Sequence, residues 1–185
     1  MRIDVALLPR QVPDHSRSVY IVVDVLRASS SLVTLLEQGA SPVIAAAGIE
    51  DARVLRSRLP EYLLCGEKGG LPPAGFDYGN SPAEFSRVEL TGRGAILATS
   101  NGTRMLAALA PAPAVLVGCL LNRTAAAEAA LRVARKQELD IAVICSAALG
   151  GSTFVLEDAL GAGAVVEAAL EAEASLEASD AARFA

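Results

Sequence analysis

The chain has 185 residues and a formal net charge of −5, with 52% hydrophobic residues but only 4% aromatic and no Trp. That length suits one domain, 1–185, whose core of Val, Leu, Ile and many alanines fits helices packed closely on a parallel sheet. No basic cluster is dense enough to follow a phosphate backbone, and no window approaches the roughly 18 uncharged apolar residues of a membrane span, so neither nucleic acid nor membrane is an expected partner.

In chain order, apolar runs bounded by turn residues predict strands near 3–8, 18–24, 42–47, 62–65, 94–99, 114–118 and 140–146. Helical segments fit near 29–38, 49–58, 102–110, 122–137 and 156–173, with a further short helix after Ser175. Strands such as "AILAT" and "IAVICS" are apolar throughout, as expected when both faces are covered. The alternation predicts an α/β fold, a three-layer α/β/α sandwich with a mostly parallel sheet. Residues 66–93 interrupt the pattern with a Gly- and Pro-rich stretch that still holds Phe76, Tyr78 and Phe85. We read it as a long ordered loop over the site rather than a disordered one.

"IVVDVLRASSSLVTLLEQGASPVIAAAG" and "AILATSNGTRMLAALAPAPAVLVGCL" share the order strand, polar turn, helix, turn, strand. Aligning Asp24 with Asn101 sets Arg27 opposite Arg104 and suggests an internal βαβ duplication.

Cys65, Cys119 and Cys145 form no CxxC pair, which argues for a reducing compartment and against a disulfide framework or structural zinc. The N-terminus "MRIDVALLPRQ" lacks the architecture of a signal peptide, so a cytoplasmic location is expected. His15 lies in a polar stretch and reads as a surface residue, and Cys145 as an inert core thiol. The acidic tail is read as an oligomer-contact helix or, more commonly for such a pattern, a solvated amphipathic one.

Ligands of open α/β sheets bind beyond the carboxyl ends of the strands. Asp24, Arg27 and Ser29 follow one predicted strand, Glu67 another, and Ser100, Asn101, Gly102, Thr103 and Arg104 a third. Asn122 follows a fourth, and Glu157 and Asp158 lie beyond a fifth. In "TSNGTRML", hydroxyls, a guanidinium and helix N-terminal amides can cradle an oxyanion; equally, this is an ordinary Asn-Gly turn with a capping hydroxyl and a solvated arginine. Asp24 with Arg27 also suits a simple strand-end ion pair, and Glu157 with Asp158 suits first-turn acids of a helix. Together, several carboxylates and two arginines on one rim suit Mg²⁺ and an anionic ligand.

"VVDVLRASSSLVTLLEQGA", "GEKGGLPPAGFDYGNSPAEF", "TSNGTRML", "GCLLNRTAAAEAAL" and "LEDALGAGAVVE" resemble, in order, the blocks of the 2-phosphosulfolactate phosphatase (ComB) family. The resemblance runs from about residue 2 to about 170. It implies a duplicated three-layer α/β/α fold and a Mg²⁺-dependent phosphatase releasing sulfolactate and phosphate, a step toward coenzyme M. This chain departs from the family pattern at "CSAALGGSTFVLED", and relatives usually continue past the point where it reads "ASDAARFA". Bacterial relatives are also expected to act on other phosphorylated 2-hydroxy acids. A non-catalytic phosphate- or nucleotide-binding module, or a degenerate family member, is the competing reading.

Residues and resemblance together give a set of expected roles. Asp24, Glu157 and Asp158 hold the metal, and Glu67 is a further ligand or base. Arg104 and the turn Ser100–Thr103 bind the phosphoryl group, and Arg27 holds the second acid group. Ser29, Asn80, Ser81 and Asn122 are further substrate contacts.

Overall fold

A computed structural model describes residues 1–11 and 17–185; His15 lies outside the described residues. The chain runs β1 (Arg2–Ala6), β2 (Ser18–Val23), α1 (Ala28–Glu37), β3 (Val43–Ala46), α2 (Ile49–Arg58), β4 (Leu63–Gly66), α3 (Pro82–Phe85) and β5 (Ala95–Ala98). It continues through α4 (Gly102–Ala108), β6 (Ala114–Gly118), α5 (Arg123–Gln137), β7 (Asp140–Cys145), α6 (Leu156–Ala172), β8 (Glu177–Ala178) and α7 (Asp180–Phe184). All the sequence-predicted strands and helices are present, and α3 and the short β8 are additional.

The fold is α/β with parallel strands and helices on both faces, but the strands divide between two sheets. One has the order β6-β2-β7-β1-β8 and the other β3-β5-β4, and every pairing is parallel. Alternation along the strands builds the layers. Val19, Ile21 and Val23 of β2 pack with Ala126, Ala130, Val165 and Ala169 of α5 and α6, whereas Tyr20 and Val22 turn toward Leu109 and Met105 at α4. In the smaller sheet, Ala95 and Leu97 meet Leu32 and Leu35 of α1, and Ile96 and Ala98 meet Ala52 of α2. Leu106 of α4 packs into the inner clusters of both sheets and so ties them together. The many alanines of α5 and α6 let these helices lie close to the sheet and to each other.

The duplication is written in the topology. Residues 18–66 and 95–145 each read β-α-β-α-β, so β2, β3 and β4 correspond to β5, β6 and β7. The two repeats are interleaved: β2 sits between β6 and β7, and β5 sits between β3 and β4. Each repeat thus lends its first strand to the centre of the other's sheet. Exchanging the repeats maps each of these three-strand sets onto the other.

The capping pattern corrects the sequence alignment of the two repeats. Asp24 N donates to Ser29 Oγ at 2.9 Å, and Thr99 N donates to Thr103 Oγ1 at 2.8 Å. Asp24 therefore corresponds to Thr99 rather than Asn101, and Arg27, just before α1, corresponds to Asn101, just before α4. Arg104 lies inside its helix and is not the counterpart of Arg27. The first loop (24–27) is one residue longer than the second (99–101), which shifts any gapless comparison.

The segment after β4 is ordered by pairing along that strand. Gly66 N donates to the carbonyls of Tyr78 and Gly79, and Asp77 and Tyr78 N both donate to Leu64 O. Phe85 and Leu90, each 1% exposed, anchor it in the core below α1. Gly66 is required here, because a Cβ at that position would stand 2.1 Å from Ala98 O. No helix among the described residues is long and apolar enough to cross a membrane.

Candidate active site

The carboxyl ends of β2, β4, β5 and β7 open on a cavity of 360 Å³. Its wall includes Asp24, Arg27, Glu67, Asn80, Thr99, Ser100 and Asn101, closed by Gly69–Gly70 and Ala148–Gly150. The repeats face one another across it. Glu67 N donates to Ala98 O at the end of β5, as Ser146 N does to Val23 O at the end of β2. Arg27 Nη2 donates to Gly70 O at 3.2 Å, and Gly150 N donates to Asn101 Oδ1 at 3.0 Å. Both pairs join a first-strand loop to a Gly-Gly turn after the same repeat's third strand.

Chemistry then differs between the halves. Where one repeat carries the hydroxyl of Thr99, the other carries the carboxylate of Asp24, only 7% exposed. Asp24 Oδ1 accepts the first N–H of α1, from Ala28, at 3.0 Å. Burial raises the Asp24 pKa, opposed by the Ala28 N–H, the neighbouring Ser146 hydroxyl and the N–H groups of Gly102 and Arg27. The amino ends of α1 and α4 therefore converge on one carboxylate.

Glu67 is the second carboxylate on the wall. Its Oε1 accepts Ser100 N and its Oε2 accepts Gly70 N, both at 2.7 Å. Each oxygen keeps a lone pair for another partner. Asn80, 4% exposed, lines the same cavity with its Oδ1 buried and unpartnered.

Several residues expected at the site hold the framework instead. Asp158 is 2% exposed and off the cavity wall; its Oδ1 accepts Val25 N at 2.9 Å and its Oδ2 accepts Ala147 N at 3.1 Å. Burial lifts its pKa to about 7, against the Val25 N–H and helped by the Asp24 charge. Glu157, the preceding residue, is also off this wall. Ser29 is buried and braces the β2–α1 turn by donating to Val22 O. Ser81 caps α3 by accepting Glu84 N, and Asn122 binds Cys119 N and Val117 O. Thr103, fully buried, exchanges hydrogen bonds with Thr99, and Gly102 is buried against Asp24.

Arg104 is also off the cavity wall. It borders two neighbouring hollows, of 180 and 550 Å³, that share Ser100 with the cavity. Sequence reasoning missed Thr99 and Leu26 on the wall, and gave no role to the Gly69–Gly70 and Ala148–Gly150 turns, although the first lies in the loop expected over the site. The repeated "GG" at 69–70 and 150–151, all with φ between +62° and +86°, was the signal available for the turns.

Candidate Mg²⁺ ligands can be tested against this donor set. Among the described residues, no three His, Cys, Asp or Glu side chains converge on one point, so there is no all-protein cage. Mg²⁺ does not need one: it keeps several waters and binds through one or two carboxylates and substrate phosphate oxygens. Asp24, Glu67 and the unpartnered Asn80 Oδ1 are such an oxygen set on the cavity wall, whereas Asp158 is buried away from that wall. The three cysteines play no part, since all are buried and burial pushes the thiols of Cys65 and Cys145 up to about 12.

A pocket at the strand ends of a parallel α/β fold, lined by two carboxylates, an arginine and a buried amide, is the kind of crevice in which such folds bind small ligands. Residues 6–185 match the family described as 2-phosphosulpholactate phosphatase. A protein of Deinococcus radiodurans named probable 2-phosphosulfolactate phosphatase is 40% identical over 90% of this chain and 67% of its own length. Proteins of the same name from Thermotoga petrophila and Synechococcus sp. (strain CC9605) are 38% and 37% identical, over 89% and 92% of this chain and 67% and 70% of theirs. The chain belongs to the 2-phosphosulfolactate phosphatase family, a family of phosphoric monoester hydrolases. It spans about two thirds of the length of these relatives.

Proposed function

We propose that the chain is a Mg²⁺-dependent phosphatase that hydrolyses 2-phosphosulfolactate, or a closely related phosphorylated 2-hydroxy acid, to the hydroxy acid and phosphate. The reaction is of the kind that leads toward coenzyme M, and a cytoplasmic enzyme is the expected setting. The observation that carries the reading is the pairing of Asp24 and Glu67 on one cavity wall with Arg27 and the unpartnered Asn80 Oδ1, in a chain of this family.

Asp24, Glu67 and Asn80 would hold Mg²⁺, which when bound neutralises phosphoryl oxygens. Arg27, the cation that shares the wall with both carboxylates, binds the phosphoryl group and stabilises its charge as the ester bond breaks. Glu67, tethered at both oxygens by backbone amides, accepts the proton of the attacking water and passes it to the alkoxide oxygen that leaves as the hydroxy acid. Arg104, across Ser100 from the cavity, takes the second acid group of the substrate. The structure thus supports the reverse of the arginine roles expected from the sequence. Gly69–Gly70 and Ala148–Gly150 complete the wall around the bound group.

Phosphate release from 2-phosphosulfolactate and phospholactate, with Mg²⁺ and with EDTA, tests this directly. Mg²⁺-dependent turnover that EDTA abolishes is expected. Tight substrate binding without phosphate release would instead identify the non-catalytic phosphate-binding alternative.

A further inference from the structure

Asp158 has no place on the cavity wall, yet it is 2% exposed and bridges two of the loops that form the site. Its Oδ1 accepts Val25 N, the residue directly after Asp24, at 2.9 Å. Its Oδ2 accepts Ala147 N at 3.1 Å, in the turn that carries Ala148–Gly150 to the wall. The repeat symmetry gives this arrangement a counterpart. Val25 corresponds to Ser100, and Ser100 N is held by Glu67 Oε1 at 2.7 Å while Glu67 Oε2 holds Gly70 N. In both halves, one carboxylate binds the N–H directly after the strand-end residue and a second N–H in a closing turn.

We propose that Asp158 is a positioning residue for the reaction, fixing Asp24 and the 147–150 turn relative to each other through two backbone amides rather than binding metal or substrate. The inference rests on the phosphatase reading for its consequence, though not for its geometry. The same face of α6 also packs on the Val25 side chain, since a Cβ on Gly161 would stand 2.5 Å from Val25 Cγ2. With the Val25 backbone held by Asp158 and its side chain packed on Gly161, Asp24 has little freedom on the cavity wall. Small displacements of a reacting group cost on the order of a hundredfold in rate.

Asp158→Asn nearly preserves the side-chain volume but turns an NH2 group against one of the two backbone N–H groups. In the intact protein with Mg²⁺, kcat for phosphate release should fall about a hundredfold while KM and Mn²⁺ affinity stay within about twofold. Amide exchange should accelerate at Val25 and Ala147 and not at Ser100. A kcat within about twofold of wild type overturns the proposal, and so does a fall in Mn²⁺ affinity as large as the fall in kcat, which would make Asp158 a ligand. Gly161→Ala provides the second arm, because it displaces Val25 while leaving Asp158 intact. It should also lower kcat at constant KM, and unchanged kcat there overturns the proposal even if Asp158→Asn does not fold. An inactive wild-type protein would count against the phosphatase reading alone, since the exchange rates at Val25 and Ala147 still report on the clamp.

Discussion

The carboxylate of Asp24 packs against the backbone of Gly102 so closely that a Cβ at position 102 would stand 2.5 Å from Asp24 Oδ2 and 2.6 Å from Ala28 Cβ. Gly102 opens α4 in one repeat and Asp24 follows β2 in the other, so the contact spans the two repeats. Gly102→Ala should overpack this point, costing about 1–3 kcal/mol of stability and at least tenfold in kcat as Asp24 moves. Paired thermal melts and phosphate-release assays check it; wild-type kcat would mean the contact does not position Asp24.

Asp24→Asn keeps the shape of the side chain and removes its charge. Burial already opposes that charge, so folding should survive while turnover falls by orders of magnitude. Near-normal kcat in excess Mg²⁺ would remove Asp24 from the metal set.

The two arginines should separate kinetically. Arg27 lines the cavity with both carboxylates, so Arg27→Ala should slow hydrolysis of a phosphorylated hydroxy acid and of a simple aryl phosphate alike. Arg104 borders the adjoining hollows, so Arg104→Ala should raise KM only for the substrate with a second acid group, by about tenfold or more. Selectivity shown by Arg27→Ala instead would return the roles to the order first read from the sequence.

Stability of the metal-free protein should depend on pH in a defined direction. Burial raises the Asp158 pKa from 3.8 to about 7, and Asp24 is raised as well. Between those limits the folded state retains protons that the unfolded chain has released, so stability falls as pH rises. The loss is roughly 1.4 kcal/mol per pH unit for one such group, from about pH 4 to about pH 7. Asp77 and Glu173, held below the ordinary carboxylate range, act in the opposite sense only below about pH 4.5. Urea midpoints in EDTA should therefore be higher at pH 5 than at pH 7.5, and Asp158→Asn should flatten the difference. A midpoint that rises over this interval would contradict the assignment.

Cysteine chemistry should be absent from the native protein. Cys65, Cys119 and Cys145 are all buried, and the thiols of Cys65 and Cys145 are pushed up to about 12. Excess iodoacetamide at pH 7.5 should leave mass and activity unchanged until the protein is unfolded.

The strands and helices were legible because each has its own periodicity and bounding residues. "AILA" and "DIAVIC" are apolar on both faces, and both strands are covered on both sides. The division into two sheets was not legible, since no local pattern records that β2 pairs with β6 and β7 rather than with β3. Asp24, Arg27, Glu67, Ser100 and Asn101 were found because ligands gather at strand ends, and all five line the cavity together with Asn80 from the long loop. Asp158, Ser29 and Asn122 lie near the same strand ends, but their side chains turn back to backbone amides and carbonyls. A polar residue type at a rim reveals its position, not the direction of its side chain. Asp24 and Thr99 illustrate the same limit, because their equivalence rests on hydrogen bonds to Ser29 and Thr103 that no residue spacing displays.

The interleaved repeats also constrain how the chain can acquire its shape. Val19 in β2 has Ala114 on one side and Ile141 on the other, so the middle of the larger sheet has no neighbours until β6 and β7 exist. Val43 and Leu63 likewise wait for Ala95 of β5. Neither repeat can complete a sheet by itself, and an emerging chain cannot finish one half before beginning the other. Such long-range pairing favours slow, concerted folding with a late commitment step. The pocket forms at that same step, because its two walls come from the two halves that must meet.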